Sequence, residues 1–205
     1  MSMPAEHMMQ APTLPDLLHG MVEAPALPVA GIASDSREVA DGFLFLAIQG
    51  RTSHGLDFLE QAKQAGACAV AWDASTGSAP AATDIRMLAI RDLADKVGDI
   101  ASRFYGHPSR HLELIGVTGT NGKTTVAWMI AQASELLGRT CGYLGTLGYG
   151  VGEIEGDDGM TTPAAVTLHE RLAGFVEHGA SAAAVEVSSH ALDQQRVDGA
   201  RFDTA

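Results

Sequence analysis

The chain has 205 residues, 46% of them hydrophobic, enough for one ordinary core or two small ones. Its 13 Lys and Arg stand against 25 Asp and Glu, a net charge of −12. That balance argues against a general nucleic-acid binder, which needs a basic face to neutralise phosphates. A phosphorylated ligand can still be held by a few local donors, such as the amides at a helix N-terminus.

The opening MSMPAEHMMQAPTLPD has no basic n-region and no apolar run of signal-peptide length. No segment approaches the length of a membrane span, and the first dozen residues read as a flexible tail. Next, DGFLFLAIQG predicts a strand over Phe43–Ile48, closed by Gly50. GLDFLEQAKQAG places Phe58, Leu59, Ala62 and Ala65 on one helical face, with Gly66 as a stop. ACAVAW and MLAI (Met87–Ile90) are short buried strands, separated by a loop of small residues from Asp73 to Asp84. Strand–helix–strand in this order predicts an α/β fold with a parallel or mixed sheet. LADKVGDIASRFYGHPS is a helix ending near Gly106, with Pro108 beyond it. A boundary near Asp92 gives a small N-terminal α/β domain over 1–92 and a second domain over 93–205. Cys68 and Cys141 form no CxxC-type pair. Two free thiols in a reduced, cytoplasmic protein are expected.

In the second domain, LELIGV is a buried strand, followed by a glycine-rich loop and a helix from Thr124 to Leu137. Val126, Met129, Ile130, Ala133 and Leu137 follow the i, i+3, i+4 rhythm of a packed face, and Gly138 ends the helix. A further helix runs from Ala164 to His178, stopped by Gly179, and SAAAVEV is the next strand. The loop itself, GVTGTNGKTT, breaks the common rule G-x-x-x-x-G-K-[ST]. Five positions before Gly122 stands Val117, and the glycines Gly116, Gly119 and Gly122 recur in steps of three. Strand, glycine loop, Lys-Thr, helix is nevertheless the context a phosphate site needs. Backbone amides from Gly119 through Gly122 converge on an anion, Lys123 neutralises terminal phosphates, and the Thr124 hydroxyl ligates Mg²⁺. The alternative is a glycine-rich turn with an exposed lysine.

Glu186 ends an apolar strand, where a lone carboxylate is costly unless it is paired or binds metal. It is either an Mg²⁺ ligand shared with Thr124 or a salt-bridged structural residue. Thr161 and Thr162 either cap the helix after Pro163 or present hydroxyls and amides to a ligand carboxylate or phosphate. Arg196 suits the same ligand groups through bidentate contacts, or is a surface arginine.

GVTGTNGKTT resembles the loop of the Mur ligase superfamily, enzymes that join an amine to a carboxylate with ATP through an acyl phosphate. Thr124-Thr125 after the lysine argues against its folylpolyglutamate synthetase branch. Adding Asp35-Ser36-Arg37, IQGRTSHGLDF, Thr161-Thr162-Pro163 and VEVSSHALDQQRVDG, the chain from about residue 30 onward resembles the MurE type. These ligases add the third peptide residue to UDP-N-acetylmuramoyl-L-alanyl-D-glutamate. The resemblance implies a P-loop-type ATPase domain with a mainly parallel sheet over 93–205, using ATP and Mg²⁺. ATP would meet Gly119, Thr120, Asn121, Gly122, Lys123, Thr124 and Thr125, with Lys123, Thr124 and Glu186 as the catalytic set. Thr161, Thr162, Ser188, Gln194 and Arg196 match positions facing the muramoyl peptide. Ser34, Ser36, Arg51, Thr52 and Ser53 match the uridine end, with Arg51 at the pyrophosphate. His190, in SSHAL, either orients ligand or metal or is a packed histidine. Where His54 precedes Gly55 the family more often has an acidic residue.

The resemblance further implies that the chain corresponds to the first two-fifths of such a ligase, and that this piece alone is inactive. Its half sheet is expected to expose apolar surface and an unpaired edge that invite self-association, whereas the full-length enzyme is expected to be a monomer. The implied partners are the UDP-dipeptide and a diamino acid, with meso-diaminopimelate favoured over lysine, and neither nucleic acid nor membrane. Two rivals remain. One is a ligase of the cyanophycin synthetase type, against which the DSR and TTP segments count. The other is a non-ligase P-loop module, which would hydrolyse nucleotide without any UDP-sugar.

Overall fold

FLFLA and AVAWD are apolar at nearly every position, the pattern of parallel strands covered on both faces. They form the centre of the first of two compact units, Met1–Leu93 and Ala94–Ala205, in a computed structural model that describes residues 11–50, 52–78, 83–156 and 159–205. Arg51 and residues 1–10 of the expected tail lie outside the described residues. Strands β1 (Gly31–Ala33), β2 (Phe43–Ala47), β3 (Ala69–Asp73) and β4 (Arg86–Ile90) make an all-parallel sheet in chain order. Helix α1 (Leu14–Leu18) buries Leu14, Leu17 and Leu18 completely.

Between β2 and β3 the chain makes a 3₁₀ turn, Gly55–Phe58, and then α2 (Leu59–Gln64), which ends at Gly66 with φ 93°. Ala62 is buried, and Leu59 and Ala65 pack on Phe45, Val70 and Trp72. Phe58, expected on the same face, is instead 41% exposed. It belongs to the tighter 3₁₀ turn, whose three residues per turn break the 3.6-residue register with α2.

In the second unit, a 3₁₀ turn and α3 (Val97–Phe104) lead into β5 (Glu113–Val117) and α4 (Lys123–Leu136). Then come β6 (Cys141–Gly145), β7 (Gly148–Val151), α5 (Ala165–Glu177), β8 (Ala182–Glu186) and α6 (Ser189–Asp193). The sheet order is β5-β8-β6-β7, parallel except for β7, which folds back on β6 as a hairpin. Alternation along β8 divides the core. Ala183 and Val185 face α5 together with Leu114, Leu144, Leu168, Leu172 and Phe175. Ala182 and Ala184 face α4 with Cys141 and Tyr143.

Two expectations need correction here. On α4 the buried residues are Ala127 and Ala131, while Val126 and Met129 are 47% and 63% exposed and Leu137 81%. Small side chains let the helix lie close on the alanine-rich side of the sheet; Ile130 of the expected stripe packs against it partly buried, and the rest turns outward. Leu136 joins it at 89% exposure. The outer edge of β5 is also not bare. The Asp203 N–H donates to Leu114 O (2.9 Å), the Gly116 N–H donates to Thr204 O (2.8 Å), and the Leu114 N–H donates to the Asp203 carboxylate (3.0 Å). On the opposite edge, residues 155–156 bond to Tyr149 of β7. No helix among the described residues is long and apolar enough to cross a membrane.

Candidate functional site

β5 delivers the chain to Thr118–Gly122, all exposed, before α4 begins at Lys123. Gly119 and Gly122 have φ of 135° and 81°, the region that favours glycine. Gly116 differs in kind: it lies inside β5, where a Cβ would come 3.0 Å from the ring of Phe202. The step-of-three spacing therefore combines one packing glycine with two that shape the loop. Gly122 caps α4 without any side-chain acceptor, and no acidic residue stands in the first turn. The first amides of α4 are thus open to an external anion. The Lys123 ammonium reaches back to donate to Gly119 O at 2.8 Å, spanning the loop. Thr120, Asn121 and Thr125 are exposed around it.

Alternation along β8 puts Glu186 on the same face as Ala182 and Ala184, the α4 side, opposite Val117 of β5. Its side chain is fully buried. Oε1 accepts from the Tyr143 hydroxyl (2.5 Å) and the Thr146 amide (2.9 Å). Oε2 accepts from the Thr124 hydroxyl (2.9 Å) and the Thr146 hydroxyl (3.2 Å). All four donors are neutral, so the salt-bridged alternative gives way to a carboxylate satisfied by hydrogen bonds alone. Burial, and then the bond to Glu186, push the Tyr143 hydroxyl well above the usual tyrosine value, which keeps its proton on as a donor. Its ring packs edge-on against Trp128 at 5.2 Å. A Cβ at Gly145 would overlap both the Glu186 carboxyl and the Tyr143 hydroxyl, so only glycine lets β6 pass this close.

A carboxylate and a threonine hydroxyl are hard oxygen donors of the kind magnesium prefers. Among the described residues no group of three or more His, Cys, Asp or Glu comes together to hold a metal. The set Thr124–Glu186 therefore fits an ion that draws its remaining ligands from phosphate and water. His190 is exposed on α6 and takes no part in the bonds to Glu186.

Neither Thr161 nor Thr162 caps α5, whose N-cap is Ala164. Thr162 is buried, its hydroxyl donating to Glu186 O (2.8 Å) and accepting from the Ser188 amide (3.1 Å). Thr161 is half-buried, and its hydroxyl lies 3.0 Å from that of Thr146. Ser188 caps α6 by accepting from the Ala191 amide. Beyond α6, Gln195 holds φ 54°, and the Arg196 amide returns to Ala191 O, a helix stop usually given to glycine. That turn aims the Arg196 guanidinium at Thr162 O (2.8 Å) and the Gln194 side-chain oxygen (2.6 and 3.0 Å). These acceptors are neutral, which leaves the positive charge for a ligand.

In the first unit a cavity of about 520 Å³ is lined by Ser34, Ser36, Ser53, Gly55, Phe58 and Gln61, among others. Thr52 is exposed and is not among its lining residues. Ser36 donates to Gln61 Oε1 (3.0 Å), and Arg37 clamps Asp35, holding that carboxyl below its usual range. His54 performs a cap: its Nδ1 accepts from the Leu56 amide (3.0 Å), as a carboxylate would. Tyr143, Gly145 and Thr146 escape a sequence reading because nothing in CGYLGTLGYG marks which strand will lie beside β8.

A strand, glycine loop and helix with a buried carboxylate on the adjacent parallel strand define an α/β protein of the phosphate-loop type. The chain belongs to the Mur ligase family. "Mur ligase family, catalytic domain" matches residues 28–105 and "Mur ligase middle domain" matches residues 117–205. UDP-N-acetylmuramoyl-L-alanyl-D-glutamate--2,6-diaminopimelate ligase of Alkalilimnicola ehrlichii is 41% identical over 97% of this chain and 41% of its own length. The Pseudomonas putida protein of the same name is 45% identical over 83% of this chain and 34% of its own length. A solved structure bearing that name superposes with a TM-score of 0.78 at 28% identity, covering 94% of this chain and 39% of that one. MurF from Acinetobacter baumannii shares the fold, with a TM-score of 0.61 at 19% identity over 87% of this chain and 36% of that one. The chain spans about two-fifths of the length of the curated relatives it matches.

Proposed function

We propose that this chain provides the acceptor-binding and ATP-binding domains, over 1–92 and 93–205, of a cytoplasmic ATP-dependent amide ligase of peptidoglycan precursor synthesis. The reaction adds meso-diaminopimelate to UDP-N-acetylmuramoyl-L-alanyl-D-glutamate. The observation that carries the reading is Glu186: a buried carboxylate, bonded to Thr124, at the mouth of a loop whose amides and Lys123 await an anion. The identity to relatives of that name supports the choice of substrates.

ATP phosphates lie against the Gly119–Gly122 amides and the first turn of α4, where helix dipole and N–H groups favour negative charge. Lys123, held across the loop by Gly119 O, turns its ammonium onto the terminal phosphates. Thr124 and Glu186 would hold magnesium, which would supply charge neutralisation for phosphoryl transfer. The uridine end of the acceptor occupies the first-unit cavity at Ser34, Ser36 and Ser53. Thr161 and Arg196 receive its anionic groups, while Thr162, Ser188 and Gln194 hold those two in place. The acceptor carboxylate attacks the γ-phosphorus and ADP leaves. The diamino acid's amine then attacks the acyl carbon, phosphate departs with the bonding pair, and the amine proton is lost to solvent.

Self-association of this chain through the outward stripe of Val126, Met129, Leu136 and Leu137 accompanies the reading, and sedimentation velocity at rising concentration tests it. The substrate assignment is tested by calorimetry. UDP-N-acetylmuramoyl-L-alanyl-D-glutamate should bind the chain, and Arg196→Ala should weaken it by tenfold or more, the scale of one charge-assisted contact. Equal binding of UDP-N-acetylglucosamine, or no effect of the substitution, contradicts it.

A further inference from the structure

The side chain of Thr146 bridges the Glu186 carboxylate and the Thr161 hydroxyl. Thr146, at the turn of the β6–β7 hairpin, donates its amide to Glu186 Oε1 (2.9 Å), which fixes its backbone. Its hydroxyl lies 3.2 Å from Glu186 Oε2 and 3.0 Å from Thr161 Oγ1. One hydroxyl carries one proton and two acceptor lone pairs. When that proton goes to Oε2, the Thr146 oxygen is left to accept from Thr161, and Thr161 spends its own proton inward.

We infer that Thr146 is a positioning residue that couples nucleotide binding at Glu186 to acceptor binding at Thr161. The inference rests on the reading above. Thr124 and Thr146 share Oε2 as acceptor. Engagement of Oε2 and Thr124 at the nucleotide site withdraws that acceptor from Thr146. The Thr146 proton then turns to Thr161 Oγ1, and the Thr161 proton turns outward, ready for a carboxylate or phosphate oxygen. Only hydroxyl rotation is needed, because Thr162 is pinned to Glu186 O and to the Ser188 amide. Coupling of this kind is reciprocal, so the acceptor must tighten the nucleotide by the same factor.

The test is the affinity of the chain for magnesium-ADP, measured by calorimetry with and without UDP-N-acetylmuramoyl-L-alanyl-D-glutamate. In the unsubstituted chain the acceptor should tighten magnesium-ADP by about threefold to tenfold, the span of one net hydrogen bond. Thr146→Val keeps the branched shape and the amide but removes the hydroxyl. It should bring that ratio to about one, while magnesium-ADP affinity alone changes less than about threefold. Thr146→Ser should restore the ratio, which a purely structural role would not predict. A Thr146→Val chain with the original ratio, or an unsubstituted chain with a ratio of one, overturns the inference while leaving the nucleotide site standing. Absence of magnesium-ADP binding in the unsubstituted chain overturns both.

Discussion

Replacing Glu186 by glutamine and by alanine separates its structural work from its chemical work. Glu186→Ala strips the acceptor from four donors, of which the Tyr143 hydroxyl is fully buried and the Thr124 hydroxyl partly so. One buried unsatisfied donor costs about 1–3 kcal/mol, and the vacated side-chain volume about 1 kcal/mol more. The second unit should therefore lose about 2–4 kcal/mol. Glu186→Gln keeps an acceptor for Tyr143 and the Thr146 amide, and presents an NH₂ to the two threonine hydroxyls, which rotate to accept. Losing a fully buried charge offsets the weaker bonds, so stability should stay within about 1 kcal/mol. The glutamine variant nevertheless lacks an anionic oxygen for the cation, and the magnesium-dependent part of ADP affinity should fall by tenfold or more. Urea unfolding and calorimetry with and without magnesium report the two effects. A glutamine variant as unstable as alanine, or one with undiminished magnesium dependence, would refute the reasoning.

Gln195→Gly relieves the left-handed backbone at the end of α6 and should raise the thermal midpoint by a few degrees, as about 1 kcal/mol does in a unit this size, with UDP-dipeptide affinity unchanged. Gly145→Ala drives a methyl group into Glu186 and Tyr143; a loss of about 1–3 kcal/mol with weakened magnesium-ADP binding is expected, read by the same two assays. His169 is fully buried, donates Nε2–H to Asp198 O (3.0 Å), leaves Nδ1 without a partner, and is held below its usual 6.5 chiefly by burial. Because the unfolded chain takes up the proton first, stability should be full above about pH 6.5 and decline as pH falls toward the depressed value, at up to about 1.4 kcal/mol per unit. His107, also lowered by burial, acts in the same sense, whereas Asp198, raised by burial, acts in the opposite sense at lower pH. Denaturant midpoints between pH 7.5 and 6 should fall less for His169→Gln; an unchanged slope would remove His169 from the account.

Much of this architecture is legible in the chain because its strands are short apolar runs and its helices end in glycine. The strand of SAAAVEV, the helix before it and the loop strand fall where periodicity places them, and alternation alone puts Glu186 on the α4 face. Exposure was harder to read. The stripe from Val126 to Leu137 has an ideal helical rhythm, yet the sheet below it is rich in alanine and fully buries only Ala127 and Ala131 of α4, with Ile130 partly buried beside them. Rhythm identifies an apolar face but not which face has a partner. The candidate site was half legible. Lys123, Thr124 and Glu186 carry their chemistry in their residue types. Tyr143, Gly145 and Thr146 matter only because β6 lies beside β8, a pairing between segments about forty residues apart that no local pattern encodes. Thr162 read as a ligand contact or a cap, and its hydroxyl proved to be spent inside the protein.

The central claim, that GVTGTNGKTT binds nucleotide phosphates with Lys123 as its cation, is tested most directly by titrating the chain with magnesium-ADP and repeating the titration on Lys123→Ala. The account predicts one site per chain, and a loss of tenfold or more when the ammonium is removed, as for a charge-assisted contact. Binding of equal strength in both proteins, or none in either, would contradict it.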